Sequence, residues 1–320
     1  MRIFPEGQRV GLGGAPLGNM LGEVTDADAV ATVNAAWDEG WRFFDTAPHY
    51  GLGLAEERLG AALQDKPRDA YVLSSKVGRI IYSADSAAPD DEGFEISTTR
   101  RRRWDFSRDG VLRSIEDSLR RIGTDRLDIV FVHDPDDHYE EAVAAAFPTL
   151  IELRDQGVIK AIGSGMNQSA MLTRFVQEID IDVIMLAGRY TLIDPDALDD
   201  VLPACVEHDV QVVAVGIFNS GLMSQPRPAA GTTFNYAPAE QALVDKANKV
   251  ADICESHGVT LPTAALAFPL FHPAVAGVAV GCRTPDEVRT NATLSRTAVP
   301  AALWSDLKSA GLLREDAPTG

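Results

Sequence analysis

A chain of 320 residues, 45% of them hydrophobic, can bury one large core or two ordinary ones. Its formal net charge of −18 argues against a nucleic-acid backbone or an anionic membrane surface as the main partner, because both would repel it. Cys205, Cys254 and Cys282 are odd in number and far apart, which speaks against a disulfide framework and for reduced thiols in a cytoplasmic protein; no stretch reaches the roughly 18 to 20 apolar residues of a membrane span, and none reads as an export signal.

In chain order, an apolar run at 8–14 precedes a helix-period segment at 26–40, and 41–47 precedes 54–65. The run at 70–77 is followed by 107–122, 127–133 by 139–157, 158–164 by 168–178, and 181–188 by 195–209. The run at 210–216 leads to a long helical region at 238–271, and 275–281 leads to 284–295. Asp, Ser or Thr caps open several of these helices. Continuous Val/Ile/Leu runs predict strands buried on both faces, and alternating βα units bury them by forming a parallel sheet covered with helices. Eight such units in a chain of this length predict an α/β fold, a (β/α)8 TIM barrel, as a single domain over 1–320. Two segments exceed ordinary loop length: 78–106, with four arginines at 100–103, and the Pro/Gly-rich 217–237. They are expected as long loops at the C-terminal face, in lid or binding roles. The rival is a doubly wound sheet, since "VGLGGAPLG" followed by "FFDTA" imitates a dinucleotide fingerprint. In that fingerprint the glycines open a helix directly, whereas here Pro16 follows and the next cap, Thr25 or Asp26, lies well downstream.

Barrel enzymes draw their catalytic groups from the carboxyl ends of different strands. The second strand ends at Asp45, the third at Lys76 and the fourth at His133, with Tyr50 just past the first of these. One ionisable residue at a strand end is more often structural; three on adjacent strands point to a site. A phenol needs help to exchange protons near neutrality, which an ammonium such as Lys76 supplies, while Asp45 holds the charge. His133 can donate to a substrate oxygen or relay a proton. The set fits proton transfer at an oxygen, and none of its members reads as an activated nucleophile.

The segments "GWRFFDTAPHYGLGLAEERLGAAL" (40–63), "VLSSKVGR" (72–79), "LDIVFVHDPD" (127–136), "GVIKAIGSGMNQ" (157–168) and "GVAVGCRTPDEVRTNAT" (277–293) together resemble the aldo-keto reductase superfamily, over residues 8 to 295. The resemblance implies a TIM barrel that binds NAD or NADP across its mouth and acts on a small molecule, a sugar or an aldehyde. It matches Tyr50 to the family's general acid/base, Lys76 and Asp45 to the supporting pair, and His133 to the residue that orients the carbonyl. It also matches Asn167 to the carboxamide ligand, and Asn219, Ser220, Gly221 and Leu222 to the loop that wraps the pyrophosphate. Gly281, Arg283, Glu287 and Asn291 fall at the adenosine end. The chain departs from the common pattern in three places: an apparent extra residue in "SGMNQ" after Ser164, Ala187 where a glutamine is usual, and no lysine-serine partner for Arg283. The last implies that NAD serves at least as well as NADP. Together with "MLAGRYTLID" and "FNSGLM", these features look most like the bacterial sugar 1-dehydrogenases, with pyridoxal 4-dehydrogenase nearby, and imply oxidation of an anomeric hydroxyl to a lactone.

Alternatives are a pyridoxal 4-dehydrogenase, a general aldehyde or ketone reductase, and a non-catalytic nucleotide-sensing subunit. A metal site built on His49, His133 and Asp134 would leave Lys76 and Tyr50 without a role, so no metal is expected. The arginine run could grip an anion or simply be solvated, and Trp104 and Phe106 could cover the mouth or pack the loop. Self-association is left open.

Overall fold

The computed structural model describes residues 3–20, 22–228, 230–235 and 237–319. Eight parallel strands close a barrel: β1 (Val10–Gly13), β2 (Phe43–Asp45), β3 (Val72–Val77), then, beyond an antiparallel hairpin of β4 (Arg79–Pro89) and β5 (Ser97–Trp104), β6 (Ile129–His133), β7 (Ala161–Met166), β8 (Val183–Ala187) and β9 (Gln211–Val215). A two-stranded ribbon of β10 (Thr233–Phe234) and β11 (Ala237–Pro238) precedes the last barrel strand, β12 (Val275–Gly281). Around the barrel the order is β1-β12-β9-β8-β7-β6-β3-β2. All eight predicted strands are present, and the doubly wound alternative is excluded by the closure.

Side chains alternate between barrel interior and helix layer. Phe43, Ile129, Phe131, Ala161, Val183, Met185, Val213 and Ala279 fill the interior with Ile3 and Phe4, which plug the N-terminal end. Facing strands supply glycine where these rings need room: a Cβ at Gly11 would lie 2.6 Å from the Phe43 ring, and one at Gly277 2.6 Å from Phe4. The intervening residues pack against the helices in a second, larger cluster.

The 78–106 segment is not an irregular loop. Its two strands pair from Arg79↔Trp104 to Pro89↔Ser97. Of 217–237, all but Ala229 and Tyr236 is described, and it carries β10 and the start of β11. The predicted 139–157 helix contains a π-helical stretch at Ala142–Ala146 just before Pro148, since a proline removes one N–H and crowds the preceding turn. A final helix, Ala301–Ser309, lies beyond the last predicted element and buries Trp304. Among the described residues no helix is long and apolar enough to cross a membrane.

Candidate active site

The period of two that fills the barrel also aims the strand ends. Phe43 points inward, so Asp45 does; Phe131 points inward, so His133 does; Val72, Ser74 and Lys76 share the inward face of β3. Register pairs Asp45 with Ser74 and Lys76 with Phe131, so Lys76 lies one inward position above Ser74. Its Nζ donates to Asp45 Oδ2 at 2.6 Å and to the Thr46 carbonyl at 2.9 Å, and Ser74 Oγ donates to Asp45 Oδ1 at 2.7 Å. Both members of the pair are buried. Burial, the larger influence, pushes Lys76 down and Asp45 up from their ordinary values, and each partner's charge opposes the other's shift. Two ions taken out of water hold their charges only through this mutual contact.

Tyr50 sits over that pair, its ring centroid 4.6 Å from Lys76 Nζ. Its backbone is set by two loops meeting without side chains: a Cβ at Gly18 would lie 2.5 Å from the Tyr50 carbonyl carbon, and one at Gly51, where φ is +60°, 2.5 Å from the Gly18 carbonyl oxygen. A Cβ at Gly14 would come equally close to the Asp45 carbonyl oxygen. Two of the glycines that imitate a dinucleotide fingerprint, Gly14 and Gly18, therefore serve close loop packing against the Asp45–Tyr50 segment. The buried His133 ring meets the Tyr50 ring edge-on at 5.7 Å and the His49 ring at 5.6 Å. Burial, then the charges of Arg79 and Lys76, holds His133 well below its ordinary value; burial with Arg79, Arg102 and Lys76 lowers His49 to about 2. Both imidazoles are neutral at working pH.

The residues expected at a dinucleotide lie around the same mouth. Asn167 follows β7, and its carbonyl accepts from Arg189 Nε at 3.0 Å while Arg189 Nη1 binds Asp194 at 2.7 Å. Its own side-chain amide has no hydrogen bond to a described residue. Asn219 and Ser220 have φ of 45° and 56°, and Gly221 has φ of 106°. This tight run past β9 is fixed by Thr191 Oγ1 donating to Asn219 Oδ1 at 2.7 Å, and Leu222 is buried beneath it. Gly281 ends β12, where a Cβ would press on Pro16 at 2.8 Å. Arg283 is exposed, Glu287 accepts from the Arg283 N–H at 2.7 Å, and Asn291 Nδ2 donates to Cys282 Sγ at 3.5 Å. Ser164 lies on the outward face of β7 and donates to the Val132 carbonyl at 3.0 Å. Ala187 ends β8 half-buried. The backbone turn, the disengaged Asn167 amide and the exposed Arg283 suit an extended nucleotide.

The sequence profile of the Aldo/keto reductase family matches residues 9–311. The chain belongs to the Aldo/keto reductase family. It is an oxidoreductase, and the family works with NAD(P)H. The chain is 44% identical over 309 residues to D-threo-aldose 1-dehydrogenase from a Pseudomonas species, covering 95% of this chain and 94% of that one. It is 36% identical over 323 residues to pyridoxal 4-dehydrogenase from Microbacterium luteolum, at 95% and 94% coverage. Among solved structures, the holo form of an aldo-keto reductase from Bacillus halodurans superposes with a TM-score of 0.72 at 25% identity, covering 96% of this chain and 92% of that one.

In this reductase the hairpin brings residues to the mouth that sequence reasoning did not place there. Phe94 at its tip is buried against Tyr50 and His49, with ring centroids at 6.2 and 5.0 Å. Arg79 Nη2 donates to Asp134 Oδ2 at 3.1 Å, and that oxygen lies 3.5 Å from His133 Nε2. Three of the four arginines are tied down and form no open anion grip, while Arg103 is exposed. Arg102 pairs with Asp90 and, at 3.0 Å, with Glu92; Arg100 binds Glu57 at 2.6 Å; Arg101 bonds backbone carbonyls. Trp104 stays 42% exposed over Arg79, whereas Phe106 is buried against Gly78. Among the described residues no group of three or more His, Cys, Asp or Glu side chains could hold a metal ion. The signal for the hairpin was the unusual length of 78–106; its residues alternate too weakly to declare a strand.

Proposed function

We propose that this reductase oxidises the anomeric hydroxyl of an aldose to a lactone, with Tyr50 as general base. The observation that carries the chemistry is the buried Lys76–Asp45 pair set under the Tyr50 ring; the likeness to D-threo-aldose 1-dehydrogenase over nearly its whole length supports the substrate class. The hydroxyl proton passes to the Tyr50 oxygen, and the Lys76 ammonium offsets the negative charge that oxygen carries before the transfer. Asp45 keeps Lys76 charged and fixed. Neutral His133 donates an N–H to the substrate oxygen and so orients the carbon. The bound NAD(P) supplies the hydride-accepting centre.

Asn167 is assigned to the carboxamide, and Asn219, Ser220, Gly221 and Leu222 to the pyrophosphate loop. Gly281, Arg283, Glu287 and Asn291 are assigned to the adenosine end. Glu287 lies 3.6 Å from the Arg283 guanidinium, and a carboxylate there opposes a 2′-phosphate, so NAD is used at least as well as NADP. The family match over 9–311 supports one domain, and three buried free cysteines suit a cytoplasmic setting. A second reading, oxidation of pyridoxal, is favoured by the 36% identity to pyridoxal 4-dehydrogenase.

Replacing Tyr50 by Phe is expected to lower kcat on the preferred aldose by on the order of 10²- to 10⁴-fold. Fluorescence titration should show dinucleotide binding retained. Near-normal turnover in that variant would remove Tyr50 from the chemistry. A panel of aldoses, pyridoxal and simple aldehydes, followed by NAD(P)H absorbance, decides between the two substrate readings.

A further inference from the structure

Arg79 is the first residue of the hairpin, three positions past Lys76 and buried at 7% exposure. One of its nitrogens, Nη2, binds Asp134, and its guanidinium plane lies 3.9 Å from the Trp104 ring centroid. Nε and Nη1 are buried and have no hydrogen-bond partner among the described residues. An arginine clamped on one edge and one face, with its other donors unused, is an unfavourable arrangement, because a buried donor that loses water without gaining a partner destabilises the fold. The position is central. Asp134 Oδ2 touches both Arg79 and the His133 imidazole, and the Arg79 charge acts on His133 and His49 alike. Beside it, the buried His49 Nδ1 also lacks a hydrogen bond to any described residue and faces the half-exposed Glu92 carboxylate at 3.8 Å.

We propose that Arg79 is the specificity-determining residue of this reductase, its Nε and Nη1 donating to the hydroxyls of a neutral polyhydroxylated substrate while Glu92 and His49 take up the complementary hydrogen bonds. The inference rests on the aldose reading above and names the residue behind it. Hydroxyl groups donate and accept at once, so they match a wall that mixes guanidinium donors, a neutral imidazole and a carboxylate. An anionic substrate does not match. Asp134 already cancels the Arg79 charge, and Arg102, the neighbouring cation, is held by Asp90 and Glu92. A substrate without hydroxyls leaves Arg79 unpaired, and sites built to hydrogen-bond a hydroxyl discriminate strongly against analogues that lack it.

The test compares the full-length wild type with Arg79→Leu. Each is assayed with NAD(P) on the best aldose of the panel in oxidation, on the uronic acid of the same sugar, and on butanal in reduction. The expected result is a fall of about 100-fold in the ratio of kcat/KM for aldose to kcat/KM for butanal, since butanal never used the lost donors. Arg79→Lys keeps the charge but not the fork of donors, and should lower the same ratio at least about tenfold. If the leucine variant does not fold, as judged by its thermal melt, the lysine variant decides. A ratio within threefold of wild type in a folded variant that still oxidises aldose overturns this inference and leaves the aldose reading standing. A wild-type preference for the uronic acid also overturns it, marking Arg79 as a carboxylate clamp. A wild type that turns over butanal but no aldose overturns the aldose reading and this inference with it.

Discussion

At the scale of single residues, the site runs on charge kept out of water. Lys76 and Asp45 could not both stay ionised in the barrel mouth alone; the 2.6 Å contact between them, with Ser74 and the Thr46 carbonyl completing their hydrogen bonds, makes a buried pair tolerable. The histidines show the reverse case, held neutral by burial and by the nearby cations. That neutrality has a pH signature. In the unfolded chain an imidazole takes up a proton as pH falls through about 6.5, while in the folded protein His49 resists protonation until about 2. Below about 6.5 the unfolded state binds more protons, so stability falls as pH drops, by up to about 1.4 kcal/mol per pH unit for each such histidine. Above that pH both states are neutral and the dependence vanishes. His49→Gln should therefore flatten the unfolding free energy between about pH 4 and 6 by close to one histidine's slope. Urea unfolding at several pH values measures it, and an unchanged slope would show that His49 protonates freely in the folded protein.

At the scale of elements, two turns and a hairpin carry the site. The turn after β1 and the turn after β2 touch at Gly18 and Gly51, backbone against backbone, and this contact fixes where the Tyr50 side chain starts. Gly18→Ala would drive a methyl to within 2.5 Å of the Tyr50 carbonyl carbon. The loops must part, and a shift of about 1 Å in a reacting group can cost on the order of 10²-fold in rate. The expected outcome is a loss of about 10- to 100-fold in kcat with the melting temperature lowered only modestly. Unaltered kcat would mean the Tyr50 loop relaxes without moving its hydroxyl. The same elements explain what could be read from the sequence. Asp45, Lys76 and His133 were legible because each closes a continuous apolar run, and inward aim follows from a period of two. The hairpin was not, because "RIIYSADSAAP" lacks clean alternation and its two strands hold through cross-strand pairing and the contacts of Arg102 with Asp90 and Glu92. Arg79 and His49 went unassigned for the same reason: half of their surroundings comes from a hairpin that local sequence does not announce.

At the scale of the whole molecule, the barrel separates stability from chemistry along each strand. β6 shows it most directly. Its five residues end at His133 in the mouth, and Asp128 stands just before its start, roughly 17 Å away at about 3.3 Å per residue. The Asp128 carboxylate is fully buried. Its Oδ2 accepts from Arg68 Nη2 at 2.8 Å and from the Leu73 N–H at 2.9 Å, and its Oδ1 forms an ion pair with Lys160 Nζ at 2.7 Å. Its backbone N–H meets the Leu73 carbonyl, and its carbonyl receives the Lys160 and Ala161 N–H groups. One residue thus pins the beginnings of β3, β6 and β7 together. Burial, the largest single influence on this carboxyl, pushes its pKa up, but the contacts with Lys160, Leu73 and Arg68 together outweigh it and hold it below the usual carboxylate value. In a barrel enzyme such a residue, on the face opposite the active site, serves the fold. Asp128→Asn removes the charge from three donors at once and is expected to cost about 3 kcal/mol of stability. The strand ends at the mouth keep their geometry, so kcat/KM on the preferred substrate should change by less than about twofold at temperatures well below the melt. Chemical denaturation together with steady-state kinetics measures both quantities on one preparation. A variant as stable as wild type but crippled in turnover would mean that the two ends of β6 are coupled, and that the barrel does not insulate its mouth from its base.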